Sequence, residues 1–127
     1  MSPTTTELCY LTIHEAGGLL KTGKLSPVEL TRAFLDRIDR LDGVLQSYIT
    51  VLHEGAMAEA RQAEAEILRG QYRGPMHGIP IALKDLYDTK GVPTTAGSRV
   101  IAERVPSEDA TATARLKAAG AVLLGKL

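Results

Sequence analysis

GIPIALKDLYDTKG, residues Gly78–Gly91, runs five apolar residues in a row, meets Lys84 and Asp85, and then turns. An apolar run this short, bounded by glycine and proline before it and by charged turn formers after it, reads as a buried strand over Ile79–Lys84. AVLLGKL, Ala121–Leu127, has the same texture and reads as a second buried strand. Between them, PSEDATATARLKAAG (Pro106–Gly120) reads as a helix. Ser107 is its N-cap, acids fill its first turn, Arg115 and Lys117 lie near its end, and Gly120 stops it. Strand, helix, strand in that order predicts a right-handed crossover joining two parallel strands, and therefore an α/β fold.

Upstream the pattern is helical. TIHEAGGLLKTGK (Thr12–Lys24) has Thr12 and Glu15 at capping-box spacing and Gly23 at its stop. SPVELTRAFLDRIDRL (Ser26–Leu41) offers Ser26 as N-cap, Pro27 at the first helical position and Glu29 to close a second box. Leu30, Phe34, Leu35, Ile38 and Leu41 recur at helical period and predict one buried face, with Arg32, Asp36, Arg37 and Asp39 in solvent. SYITVL (Ser47–Leu52) is β-branched and aromatic enough for a short strand. HEGAMAEARQAEAEILRG (His53–Gly70), rich in Ala and Glu, predicts a third helix ending near Gly70. Residues 1–127 thus read as one incomplete domain, helical over about 10–70 and strand-loop-helix-strand over about 74–127. The last predicted strand runs to Leu127, and an isolated parallel pair leaves two open edges. Self-association, or a complementing chain that supplies the missing strands, is the expected remedy.

Composition narrows the partners. Fifteen Lys and Arg balance fifteen Asp and Glu, so no net field favours nucleic acid or an anionic membrane. Cys9 is the only cysteine, which excludes an intrachain disulfide and fits a reducing, cytoplasmic compartment. The first residues show no basic leader followed by an apolar run, and no apolar stretch approaches the length of a membrane span.

In an extended Ile79–Lys84, Ile79, Ile81 and Leu83 share one face and Pro80, Ala82 and Lys84 the other. Small Ala82 leaves room beside Lys84. A lysine sheltered there loses hydration, which favours its neutral form, and a neutral amine can take a proton from a serine hydroxyl. The plainer reading is a lysine that extends its ammonium into solvent at the strand end.

GPMHGIPIALKDLYDTKGVPTTAGS (Gly74–Ser98), DATATARLKAAGAVLLGK (Asp109–Lys126) and, upstream, GKLSPVELTRAFLDRI (Gly23–Ile38) together resemble the front part of the amidase signature family of serine hydrolases. Several spaced motifs in the right order, over most of the chain, make the resemblance specific. It implies the amino-terminal portion of an α/β/α sandwich around a mixed sheet. It also implies hydrolysis of a small-molecule carboxylic amide to acid and ammonia or amine, with no metal or organic cofactor. In that family the lysine at the position of Lys84 is the base of a Ser, cis-Ser, Lys triad. No GGSSGG-like segment that would carry the two serines occurs in these residues. The serines present are Ser2, Ser26, Ser47, Ser98 and Ser107. Ser26 and Ser107 have capping roles, and Ser98, in the TTAGS loop, is the one that could approach Lys84. The chain by itself is therefore expected not to turn over an amide. The resemblance leaves open an amidase-like component of a glutamine-dependent tRNA amidotransferase and a non-catalytic, truncated assembly module.

Other motifs carry less. GAVLLGKL fits GxxxxGK, but Leu127 stands where a phosphate loop needs Ser or Thr, and its inner residues are strand formers. His14, His53 and His77 have no metal-binding spacing, and His77 is expected to hydrogen-bond within its turn. Cys9 reads as a small, partly buried apolar residue. Asp85 and Asp88 are expected to form turn hydrogen bonds, or to position Lys84 or the loop.

Overall fold

A computed structural model describes residues 4–127; Ser2 lies outside them. The elements run α1 (Thr5–Leu8), α2 (Ile13–Lys21), α3 (Pro27–Leu45), β1 (Thr50–Val51), α4 (His53–Leu68), β2 (Pro80–Leu83), a 3-10 turn (Arg99–Ile101), α5 (Thr111–Ala118) and β3 (Val122–Lys126). The strands form a mixed sheet ordered β1-β3-β2, with β3 parallel to β2 and antiparallel to β1. The parallel pair expected from Ile79–Lys84 and Ala121–Leu127 is present. SYITVL contributes only Thr50 and Val51 to the sheet.

Local chemistry explains most helix starts. Thr12 accepts from Glu15 N while Glu15 Oε2 accepts from Thr12 N (2.8 Å), the expected capping box. Thr4 and Glu7 repeat it at α1, a helix absent from the expectations above. Ser26 caps α3 as expected, accepting from Val28 N and Glu29 N, but Glu29 does not close a box. Ser26 Oγ donates instead to Glu64 Oε1 (2.5 Å) and so ties α3 to α4. Ser107 does not cap α5: the helix starts at Thr111 after an Ala110 N-cap that makes no side-chain bond. The nearby acid that is engaged is Asp109, which accepts from Lys90 N (2.7 Å) and from Lys117 Nζ (2.9 Å).

The apolar residues sort into two clusters. Leu8, Ala16, Leu20, Leu25, Leu30, Ala33 and Ile79 join α1, α2 and α3 to the start of β2. Leu35, Ala56, Ala60, Val122 and Leu124 join α3 and α4 to β3. Ala56, Ala60 and Ala63 are small enough to let α4 sit close to its neighbours, which is what its Ala-rich sequence accomplishes. Burying Leu20 or Leu30 completely contributes about 1.5–3 kcal/mol each. Leu41 departs from the expected face of α3: it is exposed, and the fully buried residues of that helix stop at Leu35. Val122–Lys126 is buried throughout, as a central strand requires. Gly125 is obligatory there, since a Cβ would overlap the Thr50 carbonyl of β1.

Candidate active site

Lys84 follows the carboxyl end of β2, where its carbonyl accepts from Tyr87 N (3.0 Å) and closes a turn. The pairing of β2 with β3 persists through this turn, with Leu127 N donating to Leu83 O and Asp85 N to Leu127 O, both 2.8 Å. The backbone on both sides of Lys84 is thereby held to the sheet. Its side chain is exposed and has no hydrogen bond or ion pair among the described residues. The shelter expected from Ala82 and the strand end is not formed by these residues, because Lys84 lies just past the last residue of β2, in the turn closed by Tyr87.

Beside Lys84 lies a polar cluster that sequence reasoning largely missed. Lys126, on β3, is wholly buried, and its ammonium donates to Tyr87 O (2.8 Å) and Thr94 Oγ1 (2.7 Å) and lies 3.9 Å from Asp85 Oδ1. Burial lowers the Lys126 pKa, while Asp85 and Asp88 oppose that shift. Asp85, only 3% exposed, accepts through Oδ2 from Thr95 N (3.1 Å) and Thr95 Oγ1 (2.5 Å). Its backbone carbonyl accepts from Ala96 N (2.7 Å). Ala96 and Gly97 both adopt left-handed backbone (φ 50° and 68°), and this turn carries the TTAGS loop back to Asp85. Asp88 forms a two-pronged pair with Arg104 (2.6 and 2.7 Å) that braces the next turn, and Arg104 holds its carboxyl below the usual range. The Asp85 carboxylate thus holds the TTAGS loop and that of Asp88 the next turn, and neither bonds the Lys84 side chain. The signal for Lys126 was available: a cation inside an otherwise apolar strand must be paired, and Asp85 follows the end of the neighbouring strand.

Ser98 does not act as a free hydroxyl. It caps the 3-10 turn by accepting from Val100 N (3.2 Å). His77 is buried in its turn, where Nδ1 accepts from Arg73 N (3.0 Å) and Nε2 lies 3.0 Å from Glu66 Oε2. Among the described residues there is no cluster of His, Cys, Asp and Glu suited to a metal, and no helix is long and apolar enough to cross a membrane.

The site is thus a lysine that follows the carboxyl end of a parallel strand, in a mixed sheet flanked by helices. The sequence model of the Amidase family matches residues 29–127, and the chain belongs to this family. It is 50% identical over 121 residues to a glutamyl-tRNA(Gln) amidotransferase subunit from Moorella thermoacetica, a match covering 95% of this chain and 25% of that protein. Among solved structures it is similar to the peptide amidase of Stenotrophomonas maltophilia, with 36% identity and a TM-score of 0.86 over 92% of this chain and 24% of that one. An amidase family protein of Bacillus anthracis gives 35% identity and a TM-score of 0.85 over 96% and 25% of the two chains. The chain thus spans about a quarter of the length of the relatives it matches.

Proposed function

We propose that this chain is the lysine-bearing portion of an amide hydrolase, one incomplete domain of a larger cytoplasmic enzyme, with Lys84 as its general base. One observation carries the reading. In a member of the Amidase family, the backbone around Lys84 is fixed by the sheet and a buried polar cluster, while its amine is left without a partner among the described residues. The segments that would desolvate it and supply a nucleophilic and a bridging serine belong to the remainder of the enzyme. Ser26 and Ser98 are committed to caps and do not substitute.

In this mechanism the free amine of Lys84 accepts a proton through the bridging serine as the nucleophilic serine attacks the amide carbonyl. Backbone amides stabilise the tetrahedral oxyanion. Its collapse breaks the carbon–nitrogen bond, the departing nitrogen takes the proton from Lys84, and water then releases the acid from the acyl-enzyme. The substrate is a small-molecule carboxylic amide.

A second reading has its own support. The name of the 50% identical Moorella relative favours a component of an amidotransferase, in which the amide is glutamine and a partner receives the ammonia. Translation of the gene beyond codon 127 reveals whether a double-serine, glycine-rich segment follows. Hydrolysis of glutamine and of simple carboxamides by the full natural protein, with and without Lys84→Met, tests the activity. Undiminished hydrolysis in the variant overturns the role of Lys84.

A further inference from the structure

We infer that Asp85 and Thr95, with Lys126 as their buried counter-charge, form a positioning clamp that holds the Lys84 backbone against the TTAGS loop. The inference rests on the proposed role of Lys84 and deepens it. Asp85 is the residue directly after Lys84, and it is gripped four ways. Its amide donates to Leu127 O, its carbonyl accepts from Ala96 N, and its carboxylate accepts from both the amide and the hydroxyl of Thr95. Three of these bonds lead to or from the loop, and the fourth leads to Leu127, the residue directly after Lys126. Lys126 binds the loop from the other side through Thr94 Oγ1 and holds the turn after Lys84 through Tyr87 O.

Two features mark this cluster as more than generic packing. Ala96 is held in left-handed backbone, a conformation that costs energy for a residue with a Cβ and that brings its amide to Asp85. Asp85 Oδ1 is buried without a hydrogen bond, 3.9 Å from an equally buried ammonium. Apolar residues in place of a buried ion pair are often as stable or more so, which leaves the geometry these charges impose as the reason for them. The exposed lysine stem has four rotatable bonds, and a fixed Cα is the one restraint these residues impose on where its amine operates.

The clamp is tested in the full natural protein with Thr95→Val, Thr95→Ser, Asp85→Asn and Lys84→Met, reading kcat, KM and backbone amide exchange at residues 95 and 96. Thr95→Val removes one hydroxyl and leaves the backbone bonds available, so it remains informative where Asp85→Asn fails to fold. The expected result for Thr95→Val is faster exchange at Ala96 and a kcat lower by about 10- to 100-fold with KM within about threefold, because misplacing a reacting group by about 1 Å has effects of that size. Thr95→Ser restores both. A kcat unchanged in Thr95→Val, or a loss appearing in KM alone, overturns the clamp. Turnover abolished by Lys84→Met but intact in the Thr95 and Asp85 variants removes this inference only. Turnover that survives Lys84→Met removes the proposed function and the inference together.

Discussion

His77 places Nε2 3.0 Å from Oε2 of Glu66 while its Nδ1 accepts a hydrogen bond from the Arg73 amide, which fixes the imidazole as the Nε2–H tautomer. The ring is buried, and Gly120 leaves no room for a Cβ beside it. Protonating Nδ1 would set one N–H against another. Burial accordingly lowers the His77 pKa below its ordinary 6.5, the attraction of Glu66 opposing. The Glu66 pKa is lowered to about 2, chiefly by the hydrogen bonds it receives from Arg73 and Gln62.

Both groups bind protons less readily folded than unfolded, so the unfolded chain is favoured as protons are added. Stability is expected to be fully present above pH 6.5, to decline below it as His77 is forced to charge, and to decline again between pH 4.5 and about 2 as Glu66 titrates. Glu59, raised by burial and facing the same cleft, opposes the first decline as the pH falls toward its ordinary 4.5. Urea unfolding from pH 8 to 3 reads the profile. A His77→Gln variant loses the first limb, and a variant profile parallel to that of the wild type from pH 7 to 5 contradicts the assignment.

Gly125→Ala is expected to separate β1 from β3, since the new methyl group meets the Thr50 carbonyl, a backbone atom that cannot rotate away. Overpacking of this kind costs at least about 1–3 kcal/mol. Amide exchange gives the sharper readout. The Ile49 and Leu52 amides, which donate to Lys126 O and Leu124 O at 2.8 Å, should lose protection ahead of the β2 contacts. Unaltered protection at both amides would show that the close approach is wrong.

Ser26 and Ser107 are both serines at predicted helix starts, and their substitution by alanine should have unequal effects. Ser26 serves two backbone amides and Glu64, so Ser26→Ala costs about 1–2 kcal/mol. Ser107 is exposed and outside the helix it was expected to cap, so Ser107→Ala changes stability by less than about 0.5 kcal/mol. Equal losses in thermal denaturation would refute the contrast.

Lys84→Met is expected to leave the fold intact, within about 0.5 kcal/mol, because the side chain is exposed and makes no hydrogen bond among the described residues. In the full natural protein the same change should lower amide turnover by at least about a hundredfold, the lower end of what a positioned base contributes. A variant that is destabilised and still active would reverse both expectations.

Much of the scaffold is set by local sequence. Thr12 with Glu15, and Ser26 with Pro27, mark the starts of α2 and α3 through bonds made within a few residues, so their signals survive without knowledge of the rest of the chain. The apolar runs around Ile81 and Leu123 identify the parallel pair because a central strand excludes water from both faces. The family motifs around Lys84 are contiguous for the same reason: a strand end and its turn are local objects.

Only the tertiary structure decided where distant polar groups meet. Glu64 takes the Ser26 hydroxyl from 38 residues away, and Lys126 finds Thr94 across 32. Nothing in the spacing of those residues encodes such partners, because the partner of a buried charge is chosen by chain topology and by the cost of leaving it unpaired. Sequence supplied Lys84 and the strand that ends before it; the folded arrangement of Asp85, Thr95 and Lys126 determines how firmly that strand end is held.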